Sequence, residues 1–404
     1  MIDLKAARSD VDAWRAALAR KGAAAEFEAL LAADERWRAL VPKVDELRTR
    51  TKLKGKPSPL ELEELQKVKD ELKTLEGDLA QAEAERERLA LLVPNPPDDS
   101  VPDGTTEDDV LEVRRVGDPP ALPEAKEHTE IGRFDMERAA RIAGSRFGYW
   151  IGDAALLALA LYRLALDRLV AKGFVPVLPP VLVREAALVG TGWLPAADPN
   201  VYEIEGEGLY LAGTAEIPLG SLHLGELLGA EELPLRYVGF SPCFRSEAGA
   251  AGRDTRGMFR VHQFNKVEQF AFTRPEDSWD EHERLLANTE EIVAELGVPY
   301  RVVVLPTGDM SKASAKTYDV EIWFPSQERY RETASISNTT DFQARRLGTR
   351  FRSERGPEPV HTLNGTAVVD RMALAILENF QGGVPDVLVQ YGAPPEVRGQ
   401  TPRV

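Results

Sequence analysis

Positive charge is scarce in this sequence: 50 lysines and arginines stand against 66 acidic residues, leaving a net charge of −16. That balance excludes a protein whose whole surface attracts nucleic acid, but not local basic patches, because phosphate contact depends on where the charge sits. Cysteine is nearly absent. The single Cys243 excludes an internal disulfide and a cysteine-based zinc cluster, and beside Pro242 it reads as a small buried hydrophobe. The five histidines show no metal-ligand spacing. The most apolar run, Ala154 to Val170, is broken by Arg163, Asp167 and Arg168, which predicts a core or interface helix and not a membrane span. The N-terminal MIDLKAARSD is charged from its third residue, unlike a signal peptide. No Walker phosphate loop, G-x-G-x-x-G fingerprint or G-x-S-x-G elbow occurs, and Gly206 and Gly208 read as a hairpin turn. The expectation is a soluble protein of a reducing, cytoplasmic compartment. Its 404 residues, 43% hydrophobic, suffice for one large core and an appendage.

The appendage reads from the N-terminus. Over residues 1–95 glycine and proline are sparse and apolar residues recur at helical spacing: Leu30, Trp37, Val44 and Thr51 are seven apart, and Leu65, Leu72 and Leu79 interleave with Val68, Leu75, Ala82 and Leu89. GKPSP at 55–59 interrupts the pattern. These features predict an antiparallel two-helix coiled coil of roughly 40 Å. Its turn is basic, with Lys43, Arg48, Arg50, Lys52, Lys54 and Lys56 against Asp45 and Glu46. Such a tip on an acidic chain fits a polyanion partner, while a dimerisation hairpin or spacer would need no such charge. A proline-rich acidic linker over 96–112 marks the boundary to a second domain, 113–404. There, grouped β-rich runs and amphipathic helices around 153–171, 277–296 and 371–381 predict an α+β domain on a mostly antiparallel sheet.

A second concentration of positive charge lies between Phe244 and Phe270. FRSEAGAAGRDTRGMFRVHQFNKVEQF carries Arg245, Arg253, Arg256, Arg260 and Lys266 around Glu247 and Glu268, and strand-like residues flank it. The pattern predicts a hairpin whose loop aims guanidinium forks at phosphate or carboxylate oxygens. Three other stretches carry chemistry. LAGTAEIPLGS, residues 211–221, places Thr214 and Glu216 at a strand end. YRETASISN, residues 330–338, spaces Glu332 and Ser335 to hold Mg²⁺ together with a nucleotide's phosphates, or equally to cap a helix. HTLNGTAVVDRMALAILENFQ, residues 361–381, reads as a turn and then Arg371 at the start of a helix, an end that favours anions and so suggests a cation awaiting an anionic ligand.

Taken in order, these segments resemble the seryl-tRNA synthetases, nearly from end to end. FRSEAG…GRDTRG…HQF-x-KVE is similar to the second signature of class II synthetases, KGFVPVLPPVLV with Pro180 to the first, and Arg371 with its helix to the third. The resemblance implies ATP-dependent activation of serine to seryl-adenylate and transfer to the 3′ end of serine tRNA by a homodimer, with Mg²⁺ as cofactor. Arg245, Arg371 and Glu332 are implied as catalytic. The implied serine site is Thr214, Ala215, Glu216, Arg245, Glu268 and Thr366. The implied ATP site is Arg245, Ser246, Glu247, Arg260, Val261, Phe264, Glu332, Thr333, Ala334, Ser335 and Arg371, with Glu332 and Ser335 on the metal. Arg48, Arg50, Lys52, Lys54 and Lys56 are implied as contacts to tRNA. A relative loading serine onto another acceptor, or an inactive RNA-binding or scaffold paralogue, is the alternative. The carrier-loading relatives usually lack the arm, and an inactive one would be expected to lose members of the Arg245, Glu268, Glu332 and Arg371 set.

Overall fold

The computed structural model describes residues 1–52, 58–195, 200–247 and 257–399. It divides into two compact units, Met1–Pro96 and Pro97–Val404.

The first unit is helical: α1 (Leu4–Ser9), α2 (Val11–Ala19), α3 (Ala24–Arg50) and α4 (Pro59–Leu92). Each short helix starts where an aspartate accepts hydrogen bonds from otherwise orphaned N–H groups, Asp3 for α1 and Asp10 for α2. Helix α4 begins on a Ser58/Glu61 capping box with Pro59 in its first turn, where a missing N–H costs nothing. At 1.5 Å per residue, α3 and α4 run about 40 and 50 Å. Leu30 and Val44 are buried between them, while Trp37 lies half-buried with the Arg86 guanidinium 3.9 Å from its ring centre. Asp34 is 2% exposed and is held by Arg8 at 2.8 Å and Arg86 at 3.8 Å. Lys54 and Lys56 lie outside the described residues.

The second unit is built on an eight-stranded sheet: β1 (Leu111–Val116), β2 (Val175–Val177), β3 (Leu235–Phe244), β4 (Gln263–Thr273), β5 (Tyr300–Val304), β6 (Lys316–Phe324), β7 (Arg329–Asn338) and β8 (His361–Val369). Across the sheet the order is β1-β5-β6-β7-β8-β4-β3-β2, and every pairing is antiparallel except β2 with β3. Three long helices, α5 (Asp153–Ala171), α6 (Ser278–Leu296) and α7 (Asp370–Phe380), bury Leu157, Leu161, Leu285, Ile292 and Met372 in the main core against this sheet. The pleat of β4 then sorts its residues. Gln269 reaches α6, where its amide donates to Leu285 O and Thr289 Oγ1, whereas Phe264, Lys266 and Glu268 open onto a cleft.

Three local expectations are corrected. Glu216 does not end a strand: the strand Leu209–Leu211 stops earlier, and Glu216 opens a short helix, Glu216–Gly220. YRETASISN caps no helix, because it forms β7. HTLNGT is no turn either. It lies within β8, where a Cβ on Gly365 would sit 3.2 Å from Ile336 Cγ1 on the neighbouring strand, a tight approach. The stretch expected as a linker is bonded to the second unit, with Asp98 N donating to Ala315 O and Thr307 N to Pro102 O, each at 2.9 Å.

Candidate functional site

The expected arginine hairpin exists. Strands β3 and β4 pair from Phe244↔Gln263 to Leu235↔Phe272, and their connection leaves from Arg245 and returns through Met258 and Phe259. Arg253 and Arg256 lie outside the described residues. Glu247 adopts φ 51°, a left-handed backbone that a β-carbon disfavours, and its carboxylate accepts from Arg260 at 2.7 Å. The returning arm is fixed from behind. Met258 N donates to His128 Nε2 at 3.2 Å, and the His128 Nδ1 donates to Glu378 on α7 at 2.8 Å. Phe259 sits beneath the guanidinium groups of Arg331 and Arg371, 3.9 and 4.7 Å from its ring centre.

These elements wall a cleft of about 260 Å³. One end is cationic. Arg245 lies between two aromatic rings, 5.4 Å from Phe264 and 5.7 Å from Trp193, and its Nε donates to Gly213 O at 3.2 Å. Arg371 donates from Nε to Phe259 O at 3.1 Å and from NH1 to the Glu332 carbonyl at 3.2 Å and carboxylate at 3.3 Å. The helix carrying Arg371 is anchored by Asp370, which accepts from the Tyr162 hydroxyl and from Asn265 N. Burial pushes Asp370 up to about 6, against the pull of those two donors.

The other end is carboxylate-rich. Glu268, 1% exposed, is ion-paired with Lys266, whose ammonium also donates to Thr214 Oγ1 at 2.5 Å. Glu216 is partly buried and accepts from Gln343 Nε2 at 2.7 Å and Asn364 Nδ2 at 3.1 Å. Burial, opposed chiefly by Lys266, raises Glu268; burial and then the charge of Glu268 push Glu216 up to about 7. Thr366 faces Glu268 across the β4–β8 pairing and lines the same end.

Along the floor, Glu332 and Ser335 stand three residues apart on β7, a spacing that in a regular strand puts side chains on opposite faces. A bulge between Glu332 and Ala334 removes the mismatch and brings both to the cleft. Ser335 Oγ donates its proton to Asp319 Oδ1 at 2.6 Å, so the hydroxyl's lone pairs remain for a cleft ligand. Asp319 is pushed well above the usual carboxylate range by burial and by Glu332. Partial desolvation would raise Glu332 as well, but Arg371, Arg245 and Arg260 outweigh it and hold its carboxyl below that range. Among the described residues no three acidic, histidine or cysteine side chains are grouped to hold a metal by themselves. A carboxylate, a hydroxyl oxygen and phosphate oxygens would instead form a hard-oxygen set of the kind Mg²⁺ accepts.

Thirteen of the expected residues therefore share one cleft: Thr214, Glu216, Arg245, Glu247, Arg260, Val261, Phe264, Glu268, Glu332, Thr333, Ser335, Thr366 and Arg371. Ala215, Ser246 and Ala334 do not line it. Ala215 and Ala334 are buried behind the wall, and Ser246 N is tied to Asn200 O at 3.0 Å. Thr333 turns its hydroxyl away, to Val320 O. The role of Lys266 and the presence of Trp193, Phe259 and Asn364 were not anticipated. Lys266 had a usable signal, since it falls midway between Phe264 and Glu268 at the strand period; Phe259 and Asn364 lie within stretches already singled out but carry no pattern of their own, and Trp193 comes from a distant segment. Of the basic arm residues, Arg48 is already paired with Glu76 at 2.9 Å, while Arg50 and Lys52 are exposed at the end of α3.

Comparison with known proteins covers both units. Residues 1–97 match the model of the seryl-tRNA synthetase N-terminal domain, and residues 201–380 that of the class II tRNA synthetase core domain for G, H, P, S and T. The serine–tRNA ligase of Mycobacterium bovis is 45% identical over 410 residues, covering 97% of this chain and 98% of that one. Among solved structures, the seryl-tRNA synthetase of Pyrococcus horikoshii complexed with ATP is 37% identical and covers 99% of this chain and 100% of its own, with a TM-score of 0.93. The cytoplasmic serine–tRNA ligase of Naegleria fowleri in complex with AMP is 33% identical, covering 96% of this chain and 95% of its own, with a TM-score of 0.87.

Proposed function

This chain belongs to the seryl-tRNA synthetase family, and from that premise we propose how its cleft carries out the family's two reactions. Serine and ATP condense to seryl-adenylate and pyrophosphate, and the seryl group then passes to the 3′ end of serine tRNA. The attacking group in the first step is the serine carboxylate, so the protein needs no nucleophile of its own. Its work is to hold that carboxylate in line with the α-phosphorus and to stabilise the charge that develops there.

Arg245 would serve both tasks, a reading supported by its charge acting on Glu216 and Glu268 at one end and on Glu332 at the other. The two rings that flank it hold the guanidinium plane, with cation–π attraction worth about 0.5–2 kcal/mol per ring. Arg260 and Arg371 take the outer phosphates. Phe264 stacks on adenine and Glu247 accepts from its amino group, with Ser246, Val261, Thr333 and Ala334 as the surrounding wall. Glu268 and Glu216 receive the serine ammonium beside Thr214 and the Ala215 backbone. Thr366 meets the serine hydroxyl. A pocket that bonds this hydroxyl rejects alanine, which would leave buried polar groups unpaired. Glu332 and Ser335 would hold Mg²⁺ with the nucleotide, where the ion would offset phosphate charge.

The basic end of α3, with Arg50 and Lys52 exposed and Arg48 beside them, is read as a tRNA contact together with Lys54 and Lys56. RNA helices are recognised largely through backbone and shape, which such residues suit. On helix α5, Leu156 and Leu159 are 46% and 59% exposed, an apolar face that fits a homodimer contact. No described helix is long and apolar enough to cross a membrane, and we place the protein in the cytoplasm with its tRNA.

The observation that carries this reading is the division of one cleft into a carboxylate-rich end and an arginine end with an aromatic platform. ATP–pyrophosphate exchange measured with each of the 20 amino acids tests it. Serine alone should support strong exchange, and exchange driven by another amino acid, or by none, would overturn the assignment.

A further inference from the structure

The amino-acid end of the cleft has an unequal charge count. Two carboxylates, Glu216 and Glu268, converge on it, and one ammonium, that of Lys266, is built in among them. Lys266 is only 7% exposed, and its ammonium is shared between Glu268 and the Thr214 hydroxyl. The other groups that bear on Glu216 are Arg245, just beyond β3, and the neutral amides of Gln343 and Asn364. Arg245 is directed at Gly213 O and the aromatic pair, so among the described residues Lys266 is the cation in direct contact with this carboxylate pair, through Glu268. Among the described residues, Glu216 is then the carboxylate without a directly paired cation, and a substrate ammonium would supply one.

We propose that Lys266 is a specificity-determining member of the serine pocket, the resident counter-ion of a two-carboxylate site whose second counter-ion is the substrate's α-ammonium, so that serine binding expels a proton from the carboxylate pair. The inference rests on the reading of this end of the cleft as the serine site. Zwitterionic serine enters with its ammonium already charged. The carboxylate pair gives up one proton to buffer, and two carboxylates are then matched by two ammonium groups. Glu216 is the group that titrates, because burial and the neighbouring Glu268 place it near 7, while Glu268 keeps its direct ion pair. The sign follows: serine binds the ionised form, so affinity is full above neutrality and falls as pH drops through the region near 7. The arrangement also selects substrates by charge. A serine whose amino group is acylated brings no cation and should be refused.

Isothermal titration of the full chain with L-serine, at pH 6 and pH 8 in two buffers of different ionisation enthalpy, tests this. We expect close to one proton released per serine at pH 6, almost none at pH 8, and affinity about tenfold weaker at the lower pH. Lys266→Met should weaken serine binding at least about tenfold at pH 8 and move the acid limb upward by about one pH unit, because two carboxylates without their ammonium hold a proton more tightly. Lys266→Arg should restore the wild-type pH profile in large part. Thermal melting of each variant separates a folding defect from a binding one, and the wild-type proton count needs no variant. Equal serine affinity at both pH values with no proton released would overturn the proposal, as would a folded Lys266→Met protein with the wild-type profile. If L-serine did not bind at either pH, the reading of the site itself would fall.

Discussion

Replacing Glu268 by glutamine preserves the side chain's length and one acceptor oxygen, while it removes the charge and turns the other oxygen into an NH2 donor. Glu268 is 1% exposed, so little solvent screens what it holds. Removing one partner from a buried charged pair costs about 2–5 kcal/mol. The retained amide oxygen and the neighbouring Glu216 place this case in the lower part of that range, at about 3 kcal/mol. At about 1.4 kcal/mol per decade, the loss corresponds to roughly a hundredfold in kcat/KM for serine. It should fall on KM for serine, while KM for ATP moves by less than about threefold, because the proposed ammonium site is at the carboxylate-rich end of the cleft and the arginines proposed for the outer phosphates, Arg260 and Arg371, are at the other. Lys266 would keep its bond to Thr214, so the protein should still fold. The assay is serine-dependent ATP–pyrophosphate exchange with each substrate varied in turn. Wild-type KM for serine in Glu268→Gln would refute the assignment. So would an equal loss for both substrates, because that pattern belongs to general damage and not to a lost ammonium contact.

Two further outcomes separate the parts of the account. Phe264→Ala should raise KM for ATP by about tenfold, the equivalent of one base–aromatic stack, and leave KM for serine within about threefold; steady-state exchange kinetics check both values. Deleting residues 43–70 and rejoining the helices should leave exchange intact and abolish charging of total tRNA, measured by acid-stable radiolabelled serine. Unchanged charging would make the arm structural.

The residues most legible in the sequence are those whose chemistry follows a local period. Phe264, Lys266 and Glu268 alternate along β4, and the heptads of α3 and α4 follow the packing of one helix on the other. Legibility fails where tertiary packing overrides a local signal. Asn364–Gly365 is a turn dipeptide by composition, yet it lies inside β8 because the adjacent strand closes over the glycine. Glu332 and Ser335 have the wrong spacing for one face of a strand, and only the bulge after Glu332 reconciles them. The support behind Met258 was not readable at all. It runs through His128 and Glu378, which are 250 positions apart and carry no shared pattern. Asp370, next to Arg371, carries no local signal either, and its bonds to Tyr162 and Asn265 make it the anchor of α7.

The central claim is that one cleft holds serine at its carboxylate end and ATP at its arginine end. A crystal structure of the full chain with a non-hydrolysable seryl-adenylate analogue tests it most directly. The account predicts the adenine on Phe264, the phosphate mimic beside Arg245, and the α-ammonium within hydrogen-bond distance of Glu268, Glu216 or Thr214. An analogue bound with its amino group away from those three residues, or its base away from Phe264, would contradict it.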